Sequence, residues 1–320
     1  MQKILTYTLL IFMITSCDKG EIPIPPHQTG DLITTTIEMQ QDYRYQIFYK
    51  LKDNTVVSQN LKTSWDIGFE SNIDGWRIFL NSSLGGAAWR ITDSSFESVF
   101  SINNPQWNWD NPSGSIDSTA IGDYQNQNIF FIIDRGYNIS GNPIGYIKFR
   151  IDSINETGYM VRYASLDNSL DTTVWIDKQV NKQKTCFSFS ENKVMNIEPN
   201  ISDWDLLFSQ YLHIFPNPPT PYLVTGILIN NSTLSVALDT INSFENINYT
   251  EVNQYDFNQE RDFIGYNWKI FDLESSSYSI VENRNYILQD GEGHYYKLRF
   301  IDFYNDLGEK GYPTFEIQQL

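Results

Sequence analysis

A chain of 320 residues has room for one large or two medium domains, and a formal net charge of −17 with a pI ≈ 4.5 disfavours nucleic acid and acidic lipid headgroups as partners. With two cysteines and three histidines, no His-Glu-x-x-His pair, no Gly-x-Ser-x-Gly elbow and no paired zinc cysteines, the composition points away from catalysis. Aromatic residues make up 15% of the chain, with 20 Tyr and 20 Phe, as suits half-buried pleated surfaces, and no long segment carries a helical period with caps.

The chain opens Met1-Gln2-Lys3, followed by a mostly apolar run from Ile4 to Ile14. That run is too short to span a bilayer core, which takes about 20 residues, but it matches the apolar stretch of a signal peptide. It ends Ile14-Thr15-Ser16-Cys17, which resembles the lipobox of bacterial lipoproteins. Residues 1–16 are thus predicted to be a signal peptide, with cleavage before Cys17 and lipid on its thiol as the membrane anchor. Residues 17–30, with Pro23, Pro25 and Pro26, read as an extended tether containing a solvated His27. The expected location is the cell envelope, as an outer-membrane lipoprotein. Asp18, Lys19 and Glu21 are compatible with surface display.

From there the chain reads as short antiparallel strands and polar loops, an all-β fold. Four blocks recur in the same order. Tyr45–Leu51, Asn54–Val57 and Ser64–Phe69 are echoed by Cys186–Ser190, Asn192–Met195 and Asp203–Phe208. Further on, Ile129–Arg135 with Gly145–Arg150 is echoed by Asn285–Asp290 with Tyr295–Phe300. The reading is two tandem β domains, residues 31–168 and 169–320, with the second expected to fold by itself from about Thr172. In an alternating strand Trp65, Ile67 and Phe69 share one face, as do Trp204, Leu206 and Phe208. Trp65, Phe69, Trp204 and Phe208 are therefore the predicted core, while Asp66 and Asp205 point away and are free to bind loop amides. Asp290-Gly291-Glu292-Gly293 supplies a tight hairpin turn. The chain then ends within a strand through Phe315 and Ile317.

Phe187-Ser188-Phe189-Ser190…Val194, Asp203-Trp204-Asp205…Phe208, and the stretch from Tyr286 through Asp290-Gly291 and Lys297–Phe300 to Gly311 and Phe315 resemble the HmuY family of haem-binding lipoproteins. The first half is similar through Trp65-Asp66, Gly85-Gly86-Ala87 and Lys148. The resemblance implies two tandem HmuY-like copies, an all-β fold and an extracytoplasmic lipoprotein that captures haem. It also implies two axial His or Met ligands, one of them a few residues after a tryptophan that Trp268 matches. Here that position falls on or near Leu273, and residues 230–266 and 96–128 contain neither His nor Met. An iron porphyrin needs a lone-pair donor, which leucine lacks.

His213 and Tyr211, beside the proline-rich segment 216–221, are the remaining candidates for a ligand, set against ordinary strand roles. Trp107 and Trp109 are a candidate stacking pair or an anchor for a long loop. Cys186 reads as a buried structural thiol and His294 as a surface residue. The expected function is capture of a small ligand, with haem or a related porphyrin implied by the family. The alternative is a structural module of the envelope that binds a glycan or a protein. Truncating the predicted core anchor, Trp204→Ala, is expected to cost about 3–5 kcal/mol. A denaturant midpoint equal to that of wild type would place Trp204 outside the core.

Overall fold

The computed structural model describes residues 28–115, 117–125 and 127–320; the leader, Cys17, His27 and the tether up to residue 27 lie outside the described residues. The first strands are β1 (Ile33–Thr36), β2 (Tyr45–Lys50), β3 (Thr55–Leu61), β4 (Ile67–Glu70), β5 (Ile78–Leu80), β6 (Ala87–Ile91) and β7 (Trp107–Asn108). β8 (Phe130–Asp134), β9 (Tyr146–Ile154), β10 (Gly158–Ala164), β11 (Asp171–Asp177), β12 (Lys184–Ser188), β13 (Lys193–Met195) and β14 (Leu206–Pro216) follow. β15 (Pro219–Ile229), β16 (Ser235–Asp239), β17 (Lys269–Asp272), β18 (Ser277–Ile280), β19 (Asn285–Gln289), β20 (Tyr295–Tyr304) and β21 (Lys310–Gln319) complete the set. Helix among the described residues is limited to short 3-10 turns, none long and apolar enough to cross a membrane. The fold is all-β, and every strand pairing is antiparallel.

Two larger sheets, β11-β10-β9-β8-β6-β7 and β1-β21-β20-β19-β16, flank two four-stranded ones, β13-β12-β4-β5 and β15-β14-β2-β3. In the four-stranded sheets the two halves of the sequence exchange hairpins. β2–β3, from the first half, pairs with β14 through Tyr49↔Leu206, Phe48↔Leu207 and Ile47↔Phe208. β12–β13, from the second half, pairs with β4 from Lys184↔Glu70 to Phe187↔Ile67. The sheet partners therefore cross the boundary near residue 168. β11, on the second-half side of that boundary, pairs with β10, and β1 pairs with β21.

The cores follow the pairing. One packs Ile47 and Tyr49 with Phe208, Phe315, Trp268 and Phe300; another packs Phe69, Phe149 and Tyr159 with Phe187 and Phe189. Between them Phe48, Trp65, Cys186, Trp204, Leu207 and Tyr211 form a third. Trp65, Phe69, Trp204 and Phe208 are all buried. Asp66, Glu70 and Asp205 are buried as well, in strands whose neighbours pack into cores on both sides. A buried carboxylate needs partners, and here a backbone amide and a basic side chain supply them in each case. Asp66 accepts from Phe189 N–H (2.8 Å) and the Arg135 guanidinium (2.8 Å). Asp205 accepts from Leu51 N–H (2.8 Å) and Lys50 Nζ (3.0 Å). Asn81 and Asn230 brace the tryptophan turns in matching fashion, donating to the carbonyls of Trp65 (2.8 Å) and Trp204 (2.9 Å).

If the exchanged hairpins hold the halves together, cutting the backbone at the exposed Val180, between β11 and β12, should leave the two fragments associated. Size-exclusion chromatography of the cleaved chain should show one species in native buffer and two only in denaturant. Separation in native buffer would be incompatible with the exchanged pairing.

Candidate functional site

β14 and β15 form a hairpin of eleven residues per strand, in register from Leu206↔Ile229 to Pro216↔Pro219. Only Leu206–Phe208 of β14 is matched by β2, so the rest of the hairpin projects as an arm. Pro216, Pro218, Pro219 and Pro221 at its tip lack N–H groups and leave few donors for a further strand to pair with. A second arm, β17–β18, projects beside it in register from Lys269↔Ile280 to Asp272↔Ser277. Its tip is held by the Asp272 carboxylate, which accepts from Glu274 N–H (2.8 Å) and Ser275 Oγ (3.0 Å).

Between the arms lies a cleft of about 370 Å³, lined by Tyr43, Tyr222, Tyr266, Lys269, Phe271 and Tyr278 among others. That volume lies within the range of small-molecule sites, about 300–1,000 Å³. Its aromatic walls are unusually open: Tyr222 is 60% exposed, and Phe271, in contact with Tyr278 at 4.9 Å between centroids, is also exposed. Trp268, stacked on Phe300 at 4.1 Å, is buried next to Lys269 in the core. Burial first, and then the neighbouring phenol of Tyr222, raise the pKa of both Tyr266 and Tyr278, so both phenols remain protonated donors at neutral pH. The arrangement can stack on a flat ligand and donate hydrogen bonds to its polar edge. Among the described residues there is no group of three or more His, Cys, Asp or Glu able to hold a metal ion.

Neither Tyr211 nor His213 lines this cleft. Tyr211 is buried, its phenol lacks a hydrogen-bond partner, and burial raises its pKa. The His213 ring sits between Phe215 (5.0 Å) and Tyr266 (5.2 Å). Leu273 stands at the tip of the second arm, 84% exposed. Trp107 is engaged by Tyr146, stacked at 6.0 Å, and by Trp89, so its ring is packed internally. Cys186 is buried, and burial pushes its thiol up to about 12. His294 is half-exposed and bonds Asp290 within the closing hairpin. Sequence reasoning missed Tyr222, Lys269 and Tyr278. The available signal was Ile270-Phe271, two successive apolar residues in a hairpin with no third strand to cover both its faces.

Lys269 is 6% exposed; its ammonium donates to the Thr225 carbonyl (2.5 Å) and lies over the Trp268 ring at 4.3 Å. Burial lowers its pKa from 10.5 to about 7. Between those values the unfolded chain holds a proton that the folded chain has released, so stability rises with pH across that window; below it the penalty of the buried charge is fully present. Lys269→Met is therefore expected to raise the thermal midpoint near about pH 6 and to flatten its rise above about pH 7. A variant curve that simply parallels wild type would show that the ammonium is not desolvated.

The family model described as HmuY protein matches residues 42–317 in one span that crosses both halves. No curated protein matches in sequence. Among solved structures, apo PinO from Porphyromonas gingivitis is similar at 8% identity and a TM-score of 0.37, covering 91% of this chain and 97% of its own. The apo HmuY analogue of Tannerella forsythia shows 11% identity and a TM-score of 0.26, over 92% of this chain and 98% of its own. With identities and superpositions this low, the assignment rests on the family match, which spans well over half of the sequence. The chain belongs to the HmuY family.

Proposed function

We propose that this protein is a non-catalytic envelope lipoprotein that captures a flat, porphyrin-class ligand in the cleft between its two arms. The observation that carries the reading is the pair of exposed aromatic rings, Tyr222 and Phe271, beside the half-buried Tyr278 around a cleft of ligand size. Family membership supports haem or a related porphyrin as the ligand. The cleft-lining residues, however, include no His or Met; their polar groups are phenols, the Lys269 amine and the side chains of Gln210, Thr225 and Asn267. A phenol can serve haem iron as tyrosinate, but here burial and a neighbouring phenol oppose loss of the proton. Stacking and apolar contact, rather than an iron bond, then carry recognition. Cleavage before Cys17 and lipid on that residue would anchor the body through the tether of residues 17–30. The matching Asp66 and Asp205 contacts support reading the halves as copies of one unit within a single family module.

Titration of the purified chain with hemin and with iron-free protoporphyrin tests this. Both are expected to bind, with dissociation constants within about tenfold of each other, because little affinity comes from the metal. Tyr222→Ala and Phe271→Ala should each weaken both ligands by roughly tenfold, the value of one aromatic stack. Flat titrations with both compounds would remove the porphyrin reading. The exposed apolar tips, with Phe215, Ile270 and Leu273, would then favour an envelope protein partner.

A further inference from the structure

A second cavity system lies between the two four-stranded sheets. Its inner compartment, about 60 Å³, sits beneath Trp65, Leu207 and Tyr211; its outer one, about 260 Å³, is bordered by Lys182, Asn231 and Ser232. Lys184 and Arg261 line both compartments. The Lys184 stem crosses Gly68, where a Cβ would come within 2.9 Å of its Cδ, so glycine leaves it a passage. Lys184 is 8% exposed, and its ammonium lies 5.1 Å from the centre of the Trp65 ring. Arg261 is pinned by its backbone, donating to Ser113 O (2.8 Å) and accepting from Ile229 N–H (2.7 Å), while its buried Nε has no partner.

Carboxylates are near: Asp110 accepts from Leu80 N–H (2.7 Å) and Ala120 N–H (2.8 Å), and Glu198 from Gln183 N–H (2.7 Å). The second buried oxygen of Glu198 has no hydrogen-bond partner, and neither acid comes within 4.0 Å of the two cations. Glu70, the cross-strand neighbour of Lys184, is turned to Arg77 and Asn72. Among the described residues no ion pair within 4.0 Å and no side-chain hydrogen bond involves Lys184 or Arg261. Burial raises the pKa of Glu198 and pushes Asp110 up to about 6, so both acids keep a proton to higher pH than exposed carboxyls do and are the poorer counter-charges for it. A buried ammonium can shed its proton; a guanidinium cannot. Leaving it unpaired in a closed space is costly, and one oxygen-rich anion would satisfy both cations, with the guanidinium fork fitting two oxygens at once.

We propose that this chamber is a second binding site, taking a small oxyanion, a phosphate or carboxylate group, between the Lys184 ammonium and the Arg261 guanidinium. It is independent of the aromatic cleft. Thermal unfolding of the chain in increasing phosphate, acetate or chloride at matched ionic strength tests it and separates the two oxyanion sources. A saturable rise in Tm with phosphate or acetate, absent with chloride, is the expected result. Lys184→Met should weaken the apparent affinity by at least about tenfold while leaving Tm in chloride equal to or above that of wild type, since Lys184 makes no ion pair within 4.0 Å and its own burial cost is removed. If Lys184 were instead a structural ion-pair member, the variant would lose stability in chloride and wild type would ignore the anion, which overturns the proposal. An oxyanion response that survives in both Lys184→Met and Arg261→Met overturns it too. Should the variants fail to fold, calorimetric titration of wild type with phosphate and acetate decides, and the absence of saturable heat with both counts against the site.

Discussion

Two buried carboxylates hold the halves of this chain to one another. Asp66 and Asp205 follow the tryptophans that fill the central core, and each reaches across to the backbone at the end of a strand from the opposite half, at Phe189 and Leu51. The backbone repeats the gesture, with Asp66 N–H donating to Phe187 O (2.9 Å) and Asp205 N–H to Tyr49 O (2.8 Å). A charged acceptor on a buried amide makes a stronger bond than a neutral one, and leaving either group unpaired costs its full desolvation. Register between the exchanged hairpins and the strands that receive them is set at these points. The orientation of the arms, and so the cleft, depends on β14 being seated correctly against β2.

Much of this was legible in the residues. Alternation marked Trp65, Phe69, Trp204 and Phe208 as buried, and all four are, but not on one shared face. The tryptophans precede β4 and β14 and fill the central core, while Ile67 with Phe69 and Leu206 with Phe208 pack in the two outer ones. The polar positions between them marked Asp66 and Asp205 as amide acceptors. What alternation cannot reveal is which of two similar strands a hairpin will join. β2 and β12 carry comparable patterns, and either would satisfy β4 or β14, so the exchange is visible only in three dimensions. The buried amines were equally hidden. Lysine is ordinarily a surface residue, and nothing in Tyr146-Ile147-Lys148-Phe149 or Trp268-Lys269-Ile270 says that the amine ends under an aromatic ring. Lys148 lies 5.2 Å from the Phe96 ring and Lys297 4.7 Å from the Phe244 ring.

The cleft and the chamber use polar groups differently. In the cleft, aromatic rings stand open while the nearest cation is drawn into the core, which leaves a surface suited to a flat ligand with few charges. In the chamber, two buried cations, Lys184 and Arg261, line the space together. The cleft belongs to the arms beyond the sheets; the chamber belongs to the seam where the halves meet, with Lys184 on one four-stranded sheet and Tyr211 on the other.

The hairpin exchange also bears on the order in which the chain can mature. β2 needs β14, more than 150 positions later, and β4 needs β12, so neither four-stranded sheet can close on the first half of the polypeptide alone. Contacts so distant in sequence are slow to form because the intervening loop must first be brought together. β2 and β4 therefore have to wait, each lacking one neighbour, until the chain has passed residues 208 and 187 respectively.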